Sequence, residues 1–149
     1  MDIIFVVGNT GSGKSTNILR FLGYKLKQTK TKKGLLTLKT TTPLPREHRQ
    51  LEAKPGSKSV TRYIFAAEIP DDMYPEEVKT RDKGLLICDS PGFGDTGGIE
   101  IDIANNVGMI RALHKTKSVR IAVLMAKDSL TANRYQGVIS IAKIITKLF

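Results

Sequence analysis

Four stretches of the chain carry the apolar patterning of strands. The first, DIIFVV (2–7), is β-branched and aromatic without a polar break, the pattern of a strand covered on both faces in a parallel sheet. GLLICD (84–89) and VRIAVLMA (119–126) read the same way, as buried strands. SVTRYIFAAEI (59–69) alternates instead, with Tyr63, Phe65 and Ala67 against Arg62, Ile64 and Ala66, and predicts a strand with two unlike faces. Between these runs the spacing turns helical. Ile18, Leu19 and Leu22 predict a helix over 14–24, closed by Gly23. Ile99, Ile103, Val107, Ile110 and His114 recur at steps of three and four and define one helix face. A last helix, 133–149, is apolar nearly all round. Strands alternating with helices predict an α/β fold with a mostly parallel sheet.

The pattern fails in one long place. Residues 25–58 are polar and interrupted by Pro43, Pro45 and Pro55, which predicts a long loop of the functional or mobile kind. The finish is also unusual, because the sequence stops inside an apolar helix and leaves VRIAVLMA as an open sheet edge. The expectation is that residues 1–149 are the N-terminal part of a longer, C-terminally truncated domain, poorly stable or self-associating in isolation.

Composition narrows the class. With 149 residues, 40% of them apolar and 26% charged, the chain is one globular domain on length, not a disordered or fibrous one. The lone Cys88 excludes an internal disulfide and favours a reducing, cytoplasmic setting. No run has the length of a membrane span, and the opening apolar run lacks the basic flank of a signal peptide. The net charge of +10 points to anionic partners, and much of it sits in KLKQTKTKK (25–33). Such a run is either a solvated loop or a patch that meets an anionic membrane or scaffold, with a peripheral membrane location in the second case. Nucleic acid is disfavoured, since no aromatic side chains alternate with those lysines.

The chemistry is concentrated in two motifs. GNTGSGKS (8–15) follows a strand and opens a helix, the context a P-loop requires. Glycines at 8, 11 and 13 let the backbone wrap phosphates with its N–H groups inward, and the helix N-terminus adds positive potential. Asn9, Thr10, Gly11, Ser12, Gly13, Lys14, Ser15 and Thr16 are the expected nucleotide-binding residues: Lys14 on the β- and γ-phosphates, Ser15 on Mg²⁺, Thr16 on the α-phosphate. DSPGFGDT (89–96) follows the strand GLLICD, so Asp89 is expected to hold Mg²⁺ rather than merely to cap the next turn. Gly92 would offer its N–H to the γ-phosphate, with Gly94, Gly97 and Gly98 as hinges of a switch. A second hydroxyl ligand for Mg²⁺ is expected from Thr61, or alternatively from Thr40, Thr41 or Thr42. Lys14, Thr61 and Gly92 form the expected catalytic set, with Ser15, Thr61 and Asp89 on the metal. His48 and His114 have no metal-ligand partners at useful spacing and read as surface and helix-face residues.

GNTGSGKS, SVT and DSPGFGDT, in that order, resemble the translation-factor-like class of P-loop GTPases, and within it the septin-like branch that includes immune-associated and Toc-translocon GTPases. The resemblance implies a three-layer G domain with residues 25–58 as its switch-I loop, GTP or GDP as ligand, Mg²⁺ as cofactor and homodimerisation across the nucleotide face. The guanine-reading [NT]-K-x-D stretch of those families is missing, AKDS (126–129) having no residue between lysine and aspartate. An ATP-using P-loop enzyme and a non-hydrolysing, nucleotide-bound scaffold therefore stand beside the GTPase as alternatives. Phe93 stands where Ras-like domains carry a water-positioning glutamine, which implies slow intrinsic hydrolysis. The resemblance then implies a group supplied in trans, with Arg46, His48 and Arg49 as candidates.

Overall fold

The computed structural model describes residues 2–52, 64–76, 84–90 and 116–127, with isolated helical positions at 107, 111, 114, 138, 139, 142, 143, 145 and 146. In chain order the elements are β1 (Asp2–Val7), α1 (Lys14–Phe21), β2 (Leu26–Lys30), β3 (Leu36–Thr40), a 3₁₀ helix (Arg46–Leu51), β4 (Phe65–Glu68), a 3₁₀ turn (Asp71–Met73), β5 (Leu85–Asp89) and β6 (Ser118–Val123). β1 lies inside a four-stranded sheet of order β4-β5-β1-β6, parallel to both β5 and β6. β4 runs antiparallel to β5 at one edge. The described fold is thus α/β with a mostly parallel sheet, and none of its helices is long and apolar enough to cross a membrane.

Strand parity sorts the core into two faces. Val6 and Ile87 lie on the side of α1 and pack with Ile18, Leu19, Leu22, Leu44, Leu51 and Phe65. Ile3, Phe5, Val7 and Cys88 are buried on the other side, with Ile64, Leu86, Val119 and Ile121 packed against them. This accounts for the unbroken apolar run of β1, because each of its faces meets a core. α1 closes at Gly23 as expected, its last helical residue being Phe21. Gly23 takes φ 84°, its N–H reaches the Arg20 carbonyl at 3.0 Å, and the Tyr24 N–H reaches the Leu19 carbonyl at 3.0 Å, a Schellman closure.

Several expectations change here. The stretch 25–58, read as a loop, contains an antiparallel hairpin, β2–β3, and the 3₁₀ helix; its residues 53–58 lie outside the described residues. The hairpin's only apolar alternation is Leu36 and Leu38, on the same face as Leu26, too short a pattern among the lysines and threonines to read as a hairpin. Among the described strands β6 is an edge, as expected, but its residues are exposed or only half-buried rather than buried. The strand expected over 59–69 is described only from Phe65 to Glu68, with Phe65 and Ala67 inward as the alternation requires. Val107 and His114, on the expected apolar helix face, are exposed: a stripe at helical spacing fixes which residues share a face, not whether anything covers it. His48, expected at the surface, is half-buried. Its Nδ1 shares a 2.7 Å hydrogen bond with the Tyr24 hydroxyl, and its ring meets Tyr24 and Phe65 edge-on at 5.7 Å each, tying the 3₁₀ helix to the segment after α1 and to β4.

Cys88 gives a testable pH dependence. Burial among Ile3, Phe5 and Val7 pushes its thiol from 9.0 up to about 11. Between those values the folded chain keeps a proton that the unfolded chain releases, so this contribution to stability falls as pH rises through the window. Urea midpoints taken on both sides of it should drop further in the wild type than in Cys88→Ala. All other groups are common to the two proteins and cancel in the comparison. Equal drops in the two proteins would refute the assignment.

Candidate functional site

The loop between β1 and α1 is built by its glycines. Gly11 (φ 80°) and Gly13 (φ 88°) occupy the left-handed region, where a side chain costs roughly 1 kcal/mol or more. Gly8 is needed for a different reason: a Cβ there would collide with the Leu124 carbonyl oxygen beyond β6 and come within 2.8 Å of Ser12 Oγ. The Leu124 N–H in turn donates to the Val7 carbonyl at 2.8 Å, so the loop begins where the ends of β1 and β6 are clasped together.

α1 starts directly from this loop, with Gly13 at its N-cap, no side-chain cap and no acidic residue in its first turn. Its first-turn N–H groups therefore face the loop mouth with their positive potential uncompensated by a carboxylate of their own turn. Lys14 folds back over the loop. Its Nζ donates to the Gly8 carbonyl at 2.8 Å and to the Asn9 carbonyl at 3.1 Å, and the side chain is only 7% exposed. Burial lowers the pKa of this ammonium, and the charge of Asp89 opposes that shift. A buried cation beside a row of backbone donors is a cradle for an anion that can replace water around both. Ser12 adds a buried hydroxyl that has no hydrogen-bond partner among the described residues.

Asp89 closes the site from across the sheet. It is the last residue of β5, in register with Val6 of β1, and its parity sends it to the α1 side. There the Ser15 hydroxyl donates to its Oδ2 at 2.6 Å, a contact spanning 74 positions of sequence. Asp89 is fully buried. A hydroxyl and a carboxylate held together are hard oxygen donors of the kind Mg²⁺ takes, with phosphate and water filling its remaining positions. The donor set fits that ion. Groups of three or more His, Cys, Asp or Glu are absent among the described residues, as a site completed by a ligand's own oxygens permits.

Of the residues expected from sequence, the structure brings together the whole loop 8–15, Thr16 on the first turn of α1, and Asp89. Thr61, Gly92 and Phe93, together with Gly94, Gly97 and Gly98, lie outside the described residues. Of the alternative threonines, Thr40 pairs with Leu26 and the Thr41 N–H donates to the Lys25 carbonyl at 2.9 Å, so both belong to the hairpin, and Thr42 follows in a bend. Arg46 and Arg49 are exposed on the 3₁₀ helix, while His48 is engaged with Tyr24 and Phe65.

Sequence reasoning missed two supports. Ser90 is fully buried, and its Oγ donates to the Val6 carbonyl at 2.8 Å, fixing the chain just past Asp89 to β1. A hydroxyl directly after a buried strand was the only signal for it. Leu124 acts through its backbone oxygen against Gly8, and no side-chain pattern marks such a contact. Compared with protein-family models, curated proteins and solved structures, the chain finds no match.

Proposed function

We propose that the chain binds a nucleoside triphosphate with Mg²⁺, and that it is a GTP-binding, slowly hydrolysing switch. The observation that carries this reading is the Ser15–Asp89 contact at 2.6 Å, set beside the buried Lys14 at the mouth of the glycine loop. In this reading the loop N–H groups and Lys14 hold the phosphates, and Ser15 and Asp89 hold the ion, which supplies charge neutralisation between phosphate oxygens. Guanine is chosen over adenine on the resemblance of the three motifs alone.

Slow turnover follows from Phe93. A phenyl ring neither orients water nor stabilises charge on a transferring phosphoryl group, so the burden falls on Lys14 and backbone donors. Domains with a glutamine there turn over unaided at only about 10⁻⁴ s⁻¹, and this chain should be no faster.

Calorimetric titration with GTP, with and without Mg²⁺, tests the binding. Saturable binding that weakens on chelating the metal is expected, and absence of binding to both GTP and ATP would overturn the reading. Single-turnover rates over a dilution series test the switch. Hydrolysis per site should rise with protein concentration, as a group supplied in trans requires, whereas a fast rate that is flat on dilution would place the catalytic group within one chain.

A further inference from the structure

The β2–β3 hairpin forms a two-stranded sheet of its own. Two strands alone are marginal in water, and this pair places Lys27 directly opposite Lys39, a like-charge pairing that weakens the ladder further. Between Asp2 and Glu47 the sequence contains no acidic residue. Lys25, Lys27, Lys30, Lys32, Lys33 and Lys39 are all exposed. Among them stand Leu35, Leu36 and Leu38, which are 53%, 61% and 44% exposed. The tip is nonetheless well formed: Gly34 takes φ 78°, the Thr31 N–H donates to the Leu35 carbonyl at 2.8 Å, and the Leu35 N–H donates to Thr31 Oγ1 at 3.1 Å. At the base, Leu38 and Leu26 continue into an open cleft of about 640 Å³ with Arg20 and Lys25 in its wall.

We infer that this hairpin docks on an anionic lipid bilayer, with Leu35, Leu36 and Leu38 entering the headgroup region and the surrounding lysines meeting lipid phosphates. Leu36 and Leu38 share a face with Lys30, and with Lys32, Lys33 and Leu35 at the tip they match an interface that is apolar beneath and negative above, while Lys27 and Lys39 lie on the other face. Single-stranded nucleic acid fits less well, because no aromatic side chain and no arginine lie between Lys25 and Lys39 to stack on bases. A second copy of the hairpin would bring lysine against lysine. The inference uses none of the residues that hold the phosphates or Mg²⁺ in the nucleotide reading, so the two can fail separately.

Co-sedimentation of the 149-residue chain with phosphatidylcholine vesicles, with and without phosphatidylserine, tests this. Binding is expected only with phosphatidylserine, weakening as salt is added. Lys32→Glu/Lys33→Glu and, separately, Leu35→Ser/Leu36→Ser should each weaken it by about tenfold or more, with circular dichroism unchanged. Lys14→Ala should bind vesicles like the wild type. Because the chain has no tryptophan, Leu36→Trp gives a single reporter whose emission should shift to the blue on phosphatidylserine vesicles. Failure of the wild type to bind, unchanged binding of both double variants, or an unshifted Leu36→Trp emission would each overturn the inference. Displacement of the protein from vesicles by single-stranded RNA at equal charge concentration would replace the bilayer by nucleic acid.

Discussion

Lys14→Ala is expected to weaken nucleoside triphosphate binding by about 3 kcal/mol or more, roughly a hundredfold, while changing folding stability by less than about 1 kcal/mol. The split comes from what the ammonium does in each state. Without ligand, Nζ is held by the Gly8 and Asn9 carbonyls, but burial works against its charge, as its lowered pKa records. Deleting it forfeits two charge-assisted hydrogen bonds and the attraction of Asp89, and removes a desolvation cost that outweighs that attraction, so the changes nearly offset. With a triphosphate bound the same deletion leaves buried anionic oxygens without their nearest cation, and nothing offsets that. Calorimetric titration alongside urea denaturation separates the two quantities. A variant that binds GTP as tightly as the wild type would show that the loop is not the phosphate site. One that has lost binding together with several kcal/mol of stability would show that Lys14 serves the fold instead.

Gly8→Ala should be the most damaging small substitution in the loop, costing about 3 kcal/mol of folding stability. The added methyl would occupy the place of the Leu124 carbonyl oxygen and lie 2.8 Å from Ser12 Oγ. Relief requires the ends of β1 and β6 to part, at the expense of the Leu124-to-Val7 hydrogen bond of 2.8 Å. Gly11→Ala provides the control. A Cβ at Gly11 meets nothing within 4 Å, so its cost is confined to the φ of 80° and should be only about 1 kcal/mol. Denaturation midpoints of the two variants should therefore differ clearly, with Gly8→Ala the lower. Equal midpoints would mean that backbone conformation, rather than the approach of Leu124, sets the requirement at residue 8.

Much of the candidate site is visible in the residues themselves. GNTGSGKS specifies a loop that only glycine can fold and a lysine at the first position of a helix, and these are local properties of the chain. Strand alternation places Ile87 and Asp89 on one face and Cys88 on the other, so even the side to which Asp89 points is written in its parity with its neighbours. What periodicity could not supply was any pairing between distant backbones. The β2–β3 ladder rests on N–H and C=O groups that every residue carries, and its side chains announce it with no more than Leu36 and Leu38 at alternate positions.

Sequence by itself determined the α/β alternation, the doubly covered β1 and the shape of the glycine loop, because each follows from local sterics or from side-chain period. Only the tertiary structure decided that Ser15 meets Asp89 at 2.6 Å, that Ser90 and Leu124 brace the loop from β5 and β6, and that His48 turns inward to Tyr24 and Phe65. The physical reason is common to all three. A contact across tens of residues depends on strand order and register, which come from the packing of the whole core, and no window of sequence contains them.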